Sequence, residues 1–247
     1  MTSKQYKTPP LVEAVCEFRF DPKSIWDSTI PGLLYEQIKG DFPIRENVTE
    51  GVVEFFFNKQ KDLNPRIDHT ENEVPRFWNE KKNLFVVLKK NLLSVHCVNS
   101  YTGWDEFKKH IIFIFGKYIL LANPVVGLNR VGLRYINEIP FEKIDSSGLQ
   151  KNFLFRPNLV QGVVEENNFL GLQVGYMSKE DDNLVKIQLN NIEKLDKGPV
   201  FVFDVDYFNN KVVDFDNIVN WMDQAHSRIE YIFENSITQE LKQTFDK

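Results

Sequence analysis

Residues Leu11 to Phe20 alternate, with Ala14, Cys16, Phe18 and Phe20 on one side and Glu13, Val15, Glu17 and Arg19 on the other. Successive side chains of a strand point to opposite faces, so this spacing predicts a first strand with one buried side, stopped at Asp21-Pro22. A helical period follows. Pro31 suits a first helical turn, Leu34, Tyr35 and Ile38 fall on one face, and Gly40 suits a left-handed residue past the end. Gly51 to Phe57 reads as a second strand, and the polar stretch Asn58 to Pro75 as a loop. Arg76 to Trp78, Asn83 to Lys89 and Leu92 to Asn99 read as strands joined by tight turns.

A long helix comes next. Thr102 is a good N-cap, Asp105 sits where a capping box places its acid, and Asn123-Pro124 must end the helix near Ala122. Trp104, Phe107, Ile111, Ile114 or Phe115, and Tyr118 make one apolar stripe, while Ile112, Phe113 and Ile119 spill beyond it. A helix this apolar is buried on more than one side or lies at an interface.

The strand Val126 to Ile139 then places Arg130 and Arg134 on one side and Val131, Leu133 and Tyr135 on the other. Ser146 to Pro157 reads as a connection. Phe169 to Met177, Leu184 to Asn190 and Val200 to Tyr207 follow as strands. A last helix, capped by Asp216, carries the stripe Ile218, Trp221, Ala225, Ile229 and Ile232, with a final turn through Leu241 and Phe245. In each half strands lead to a helix holding Trp and His, Trp104 to His110 and Trp221 to His226. The expected architecture is α+β. Two similar antiparallel-sheet-plus-helix units, residues 1–145 and 146–247, pack as one body, in the outline of an internal duplication.

Composition adds three constraints. The chain has 21 Phe among 247 residues, so ring packing must fill much of the core. Net charge is −5 with no basic run, which disfavours a nucleic-acid backbone as partner. Cys16 and Cys97 both lie in strand-like runs, as expected of buried thiols in a reducing compartment. The start has no apolar leader, and the run Ile111 to Phe115 is far short of the ~20 residues a membrane span needs. The expected location is the cytoplasm, with no membrane contact.

Chemistry-bearing motifs are scarce. The sequence has no Walker-type or G-x-G-x-x-G loop, no G-x-S-x-G elbow, no Cys-x-x-Cys and no H-E-x-x-H. Asp68-His69-Thr70-Glu71-Asn72-Glu73 comes nearest to a metal cluster but lacks calcium-loop spacing and reads as a solvated acidic stretch. No metal and no cofactor is expected. His96 and Cys97 are adjacent on a strand and point apart, so they cannot form a nucleophile pair. His226 is read as hydrogen-bonded at a helix–sheet contact rather than as a base.

Arg130 and Arg134 have two readings. They pair across strands with Glu13, Glu17, Asp204 and Asp206, or they grip an anion bidentately. In the second, Asn137 reads a polar edge of the ligand and Tyr101 or Trp104 stacks on its ring. Those five, with His226, are the candidate ligand-binding residues, and no catalytic residue is assigned.

One resemblance covers nearly the whole chain. Pro9-Pro10-Leu11-Val12-Glu13-Ala14-Val15, then Gly132-Leu133-Arg134-Tyr135-Ile136-Asn137, then Ala225-His226 … Ile229 … Phe233-Glu234 … Ile237-Thr238 resemble a sporadically distributed, functionally uncharacterised bacterial family of this length. Such a distribution implies mobile or defence-associated genes and transfers no catalytic residue. The expectation is a non-enzymatic accessory protein, antitoxin-like or part of a defence locus. It would bind another protein, or itself, through an apolar helix face. The alternative is a small-anion or nucleotide sensor, or an enzyme, with its pocket around Arg130 and Arg134.

Overall fold

Alternating runs become strands wherever one side can be buried. The computed structural model describes residues 6–21, 26–54, 66–122, 127–141, 146–155, 170–179, 181–194, 198–211 and 213–246. Their strands are β1 (Leu11–Phe20), β2 (Ile44–Glu54), β3 (Arg66–Trp78), β4 (Leu84–Lys89), β5 (Leu92–Val98), β6 (Leu128–Pro140), β7 (Gly171–Met177), β8 (Leu184–Lys194) and β9 (Gly198–Asn209). All pair antiparallel in one nine-stranded sheet, ordered β2-β3-β4-β5-β1-β6-β9-β8-β7. The fold is α+β. The arginine strand β6 is central, between β1 and β9.

The helices are α1 (Ile30–Ile38), α2 (Trp104–Ala122), α3 (Ser146–Asn152), α4 (Ile218–Ser236) and α5 (Gln239–Thr244), with a 3-10 turn at Phe215–Asn217 before α4. They pack on the side of the sheet that carries Ala14, Cys16, Phe18, Leu133, Tyr135, Phe203 and Val205, all buried. Rings fill this layer. Phe115 and Tyr118 of α2 meet Phe18 and Phe20 of β1, Phe233 of α4 meets Phe203 of β9, and Trp221 meets Tyr207. The opposite face presents Glu13, Val15, Glu17, Arg130, Arg134 and Asp206, and a small satellite cluster of Val74, Phe85 and Val87.

Several boundaries differ from the expectation. β3 begins at Arg66, inside the stretch read as loop, and β2 starts at Ile44. The two pair with each other from Ile44↔Trp78 to Glu54↔Arg66, but β3 meets β4 only from Arg76 to Trp78. Most of that hairpin therefore lies beyond the next strand. The side chains of Asp68 to Asn72 and residues 55–57 lie outside what is described. Ser146–Asn152 is a helix rather than an irregular connection. Helix α2 begins at Trp104, preceded by Gly103 at φ +119°, so Thr102 is not at the cap. Asp216 lies within the 3-10 turn, and Asn217 takes the N-cap position of α4.

Candidate functional site

The six candidate residues divide between the two faces of the sheet. Arg130 and Arg134 point to the open face, while Asn137 sits on the covered face, 5% exposed, its amide donating to the Phe203 carbonyl at 3.2 Å. Tyr101, Trp104 and His226 gather on the covered side as well. Odd and even positions of one strand cannot share a face, and the numbers 130, 134 and 137 carry that signal.

On the open face the arginines are held by carboxylates from both neighbouring strands. Arg130 Nη1 donates to Glu17 Oε1 of β1 at 2.5 Å, and Nη2 donates to Asp206 Oδ2 of β9 at 2.8 Å. Its guanidinium also lies 4.5 Å from the Phe208 ring centroid. Arg134 grips Asp204 bidentately, Nε to Oδ1 at 2.9 Å and Nη2 to Oδ2 at 2.6 Å. That bond, first among its causes, holds Arg134 charged beyond its ordinary range. Burial raises the Asp206 carboxyl above its ordinary value despite both arginines. Gly132 lies beneath the Arg130 side chain, and a Cβ there would come within 2.6 Å of Nη1. The motif Arg-x-Gly thus lets a guanidinium fold flat across its own strand.

Behind the sheet a polar relay crosses three elements. Tyr101 Oη meets Tyr135 Oη at 2.9 Å, and Tyr135 Oη meets His226 Nδ1 at 2.8 Å. His226 Nε2 stands 3.4 Å from Glu230 Oε1. A neutral imidazole facing a carboxylate through Nε2 carries its proton there, so Nδ1 accepts from Tyr135 and Tyr135 accepts from Tyr101. Burial lowers the His226 pKa to about 4, and burial raises both tyrosines above their ordinary range. Trp104 stacks on the imidazole at 4.7 Å and donates from Nε1 to Asp223 Oδ1 at 2.6 Å, where Lys108 also donates at 2.7 Å. The network ties α2 and α4 to one another and to β6.

Neither cysteine is poised as a nucleophile. Cys16 is fully buried, its thiol pushed up by burial, and Cys97, 4% exposed, is pushed up to about 11 for the same reason. Among the described residues no group of three or more His, Cys, Asp or Glu could hold a metal ion, and no helix is long and apolar enough to cross a membrane.

The remaining feature is a groove of about 510 Å³ on the outer side of α2, lined by Ile112, Phe113, Gly116, Ile119, Leu120 and, from the 3-10 turn, Phe215. Its walls are apolar apart from Lys117, whose ammonium lies 5.7 Å from the Phe113 ring centroid. Leu120 is 81% exposed and Ile112 is 41% exposed. The residues that spill beyond the core stripe of α2 are the ones that line it. Compared with known proteins, the chain matches no family model and no curated sequence.

Proposed function

We propose that this is a non-enzymatic binding protein that docks a protein partner in the groove along α2. The observation that carries this reading is Leu120, 81% exposed beside Ile112 and Phe113 on a helix whose other side is already committed to the core. Burying one such side chain is worth roughly 1.5–3 kcal/mol, enough to make a few of them the centre of an interface. The anion-pocket alternative draws no comparable support, because Arg130 and Arg134 each already hold a carboxylate. In keeping with the resemblance, the proposed role is an accessory or antitoxin-like component of a bacterial defence locus, with the cytoplasm as the expected compartment.

The sheet order also supports the duplication. β1-α1 followed by the meander β3-β4-β5 and α2 parallels β6-α3 followed by β7-β8-β9 and α4, with β1 and β6 side by side at the centre. On this reading β2 is an addition to the first unit, and the seam falls between α2 and β6, ahead of the division at residue 145.

Native mass spectrometry of the tagged full chain, purified gently from its own host, tests the docking reading. A stoichiometric protein partner is expected, and Leu120→Asp should release it, weakening binding by roughly 30-fold or more. Stability should stay within about 0.5 kcal/mol, since an exposed position is changed. A wild-type chain that emerges alone, identical in assembly state to Leu120→Asp, overturns the reading.

A further inference from the structure

The shape and charge of the α2 groove narrow what can occupy it. Ile112, Gly116 and Leu120 follow one another at i, i+4 and i+8, so they form a single row along the helix. Gly116 is exposed, and a Cβ built there meets nothing within 4 Å. The row is therefore two apolar knobs with a notch between them, into which a side chain from a second helix can insert.

The rims differ in charge. On one side Lys117 is folded over Phe113. On the other Phe215 is flanked in the chain by Asp214 and Asp216, both exposed, and among the described residues neither has an ion-pair partner. Helix α2 has no basic residue in its last turn, and the partial negative charge of its C-terminus lies at the Leu120 end. The whole chain adds a net −5.

We infer that the occupant is an amphipathic helix of a protein partner, its apolar stripe bordered by lysines or arginines on the side that meets Asp214 and Asp216. This rests on the docking reading above and names the chemistry of its partner. A second copy of the chain fits less well, because it would double the carboxylates at the seam. Two carboxylates without an ion-pair partner among the described residues, with a helix C-terminus, favour a cationic flank, and they raise the rate at which one is captured at low salt.

Synthetic peptides test this directly against the full-length protein. One fluorescein-labelled helix former of about 18 residues carries leucines at the spacing of an apolar face and lysines on its flanks. A second replaces the lysines with glutamates, and a third keeps the lysines but scrambles the leucines. By fluorescence polarisation the first should bind at least about tenfold more tightly than either control. Gly116→Leu fills the notch and should lose that binding while the melting temperature holds or rises. Asp214→Asn with Asp216→Asn should weaken it about fivefold and flatten its salt dependence.

Equal binding of the lysine and glutamate peptides, lost in Gly116→Leu, would overturn the basic partner and leave the docking reading standing. Binding of the scrambled peptide, indifferent to Gly116→Leu, would reduce the effect to general charge attraction and overturn the inference. Should no peptide bind while the host partner is still released by Leu120→Asp, the inference alone fails. A dimer in sedimentation that Gly116→Leu dissolves would make the occupant a second copy and overturn it too.

Discussion

A single hydrogen at position 132 decides how the central strand is used. Arg130 can reach Glu17 on one neighbour and Asp206 on the other because its guanidinium crosses over Gly132, where any Cβ would stand within 2.6 Å of Nη1. Glycine in a strand ordinarily costs roughly 0.5–1 kcal/mol, so the contact must return more than that. Gly132→Ala should therefore lower stability by about 1–2 kcal/mol in urea denaturation, because the flexible guanidinium is displaced, Asp206 loses its donor and Glu17 keeps only Arg19. In an Arg130→Met background the same substitution should be neutral or mildly stabilising. Equal costs in both backgrounds would show that the glycine serves something other than the arginine. Strand parity made the pairing legible for Glu17, Asp204 and Asp206, which share the face of Arg130 and Arg134 once their strands are neighbours; Glu13 shares that face but bonds His96 instead. The same parity excludes Asn137 from that face, which shows how a motif read as a string of letters misleads where a motif read as a pleat does not. Which strands are neighbours is a non-local fact that no short stretch of sequence carries.

Helices α2 and α4 meet over the same strand, and His226 is where they are joined to it. Its imidazole is stacked on Trp104 of α2, accepts from Tyr135 of β6 and faces Glu230 one turn along α4. The charged groups around it include Glu230, Asp223, Asp105 and Lys108; burial outweighs the acids that favour protonation. The folded-state pKa, about 4, lies below the ordinary 6.5, so between those values the unfolded chain binds more protons than the folded one. Stability from this group is thus complete above pH 6.5 and is lost as pH falls toward 4. The slope approaches 1.4 kcal/mol per pH unit and the total is at most about 3 kcal/mol. His226→Gln should be less stable at pH 7 yet lack that slope in chemical denaturation between pH 4.5 and 7; an unchanged slope would assign the acid sensitivity to other groups. At this scale the sequence was most informative for α2, whose surplus apolar residues Ile112, Phe113 and Ile119 line the outer groove. It was least informative for β2 and β3, because β3 meets β4 only from Arg76 to Trp78 and its polar letters up to Pro75 read as loop.

One sheet of nine strands, about 40 Å across at the usual spacing, carries both halves of the chain. The β6–β9 pairing runs without a register shift from Val131↔Asn209 to Pro140↔Val200, and β1 is bonded to β6 over most of its length. Cutting the chain at residue 145 would leave β6 as an edge. Arg130 and Arg134 would lose Asp206 and Asp204, and the buried side of Leu133 and Tyr135 would lose α4. Two halves joined this way share one core. Full-length protein should therefore unfold in one transition, with tryptophan fluorescence and far-UV circular dichroism superimposing in urea. Trp78 reports on the β3 end of the sheet and Trp104 and Trp221 on the helices, so coincidence across the probes spans the body. The fragment 1–145 should show no cooperative melt. A fragment that melts sharply on its own would mean that the first unit keeps a complete core and that the β6–β9 seam is an interface between two domains rather than the middle of one.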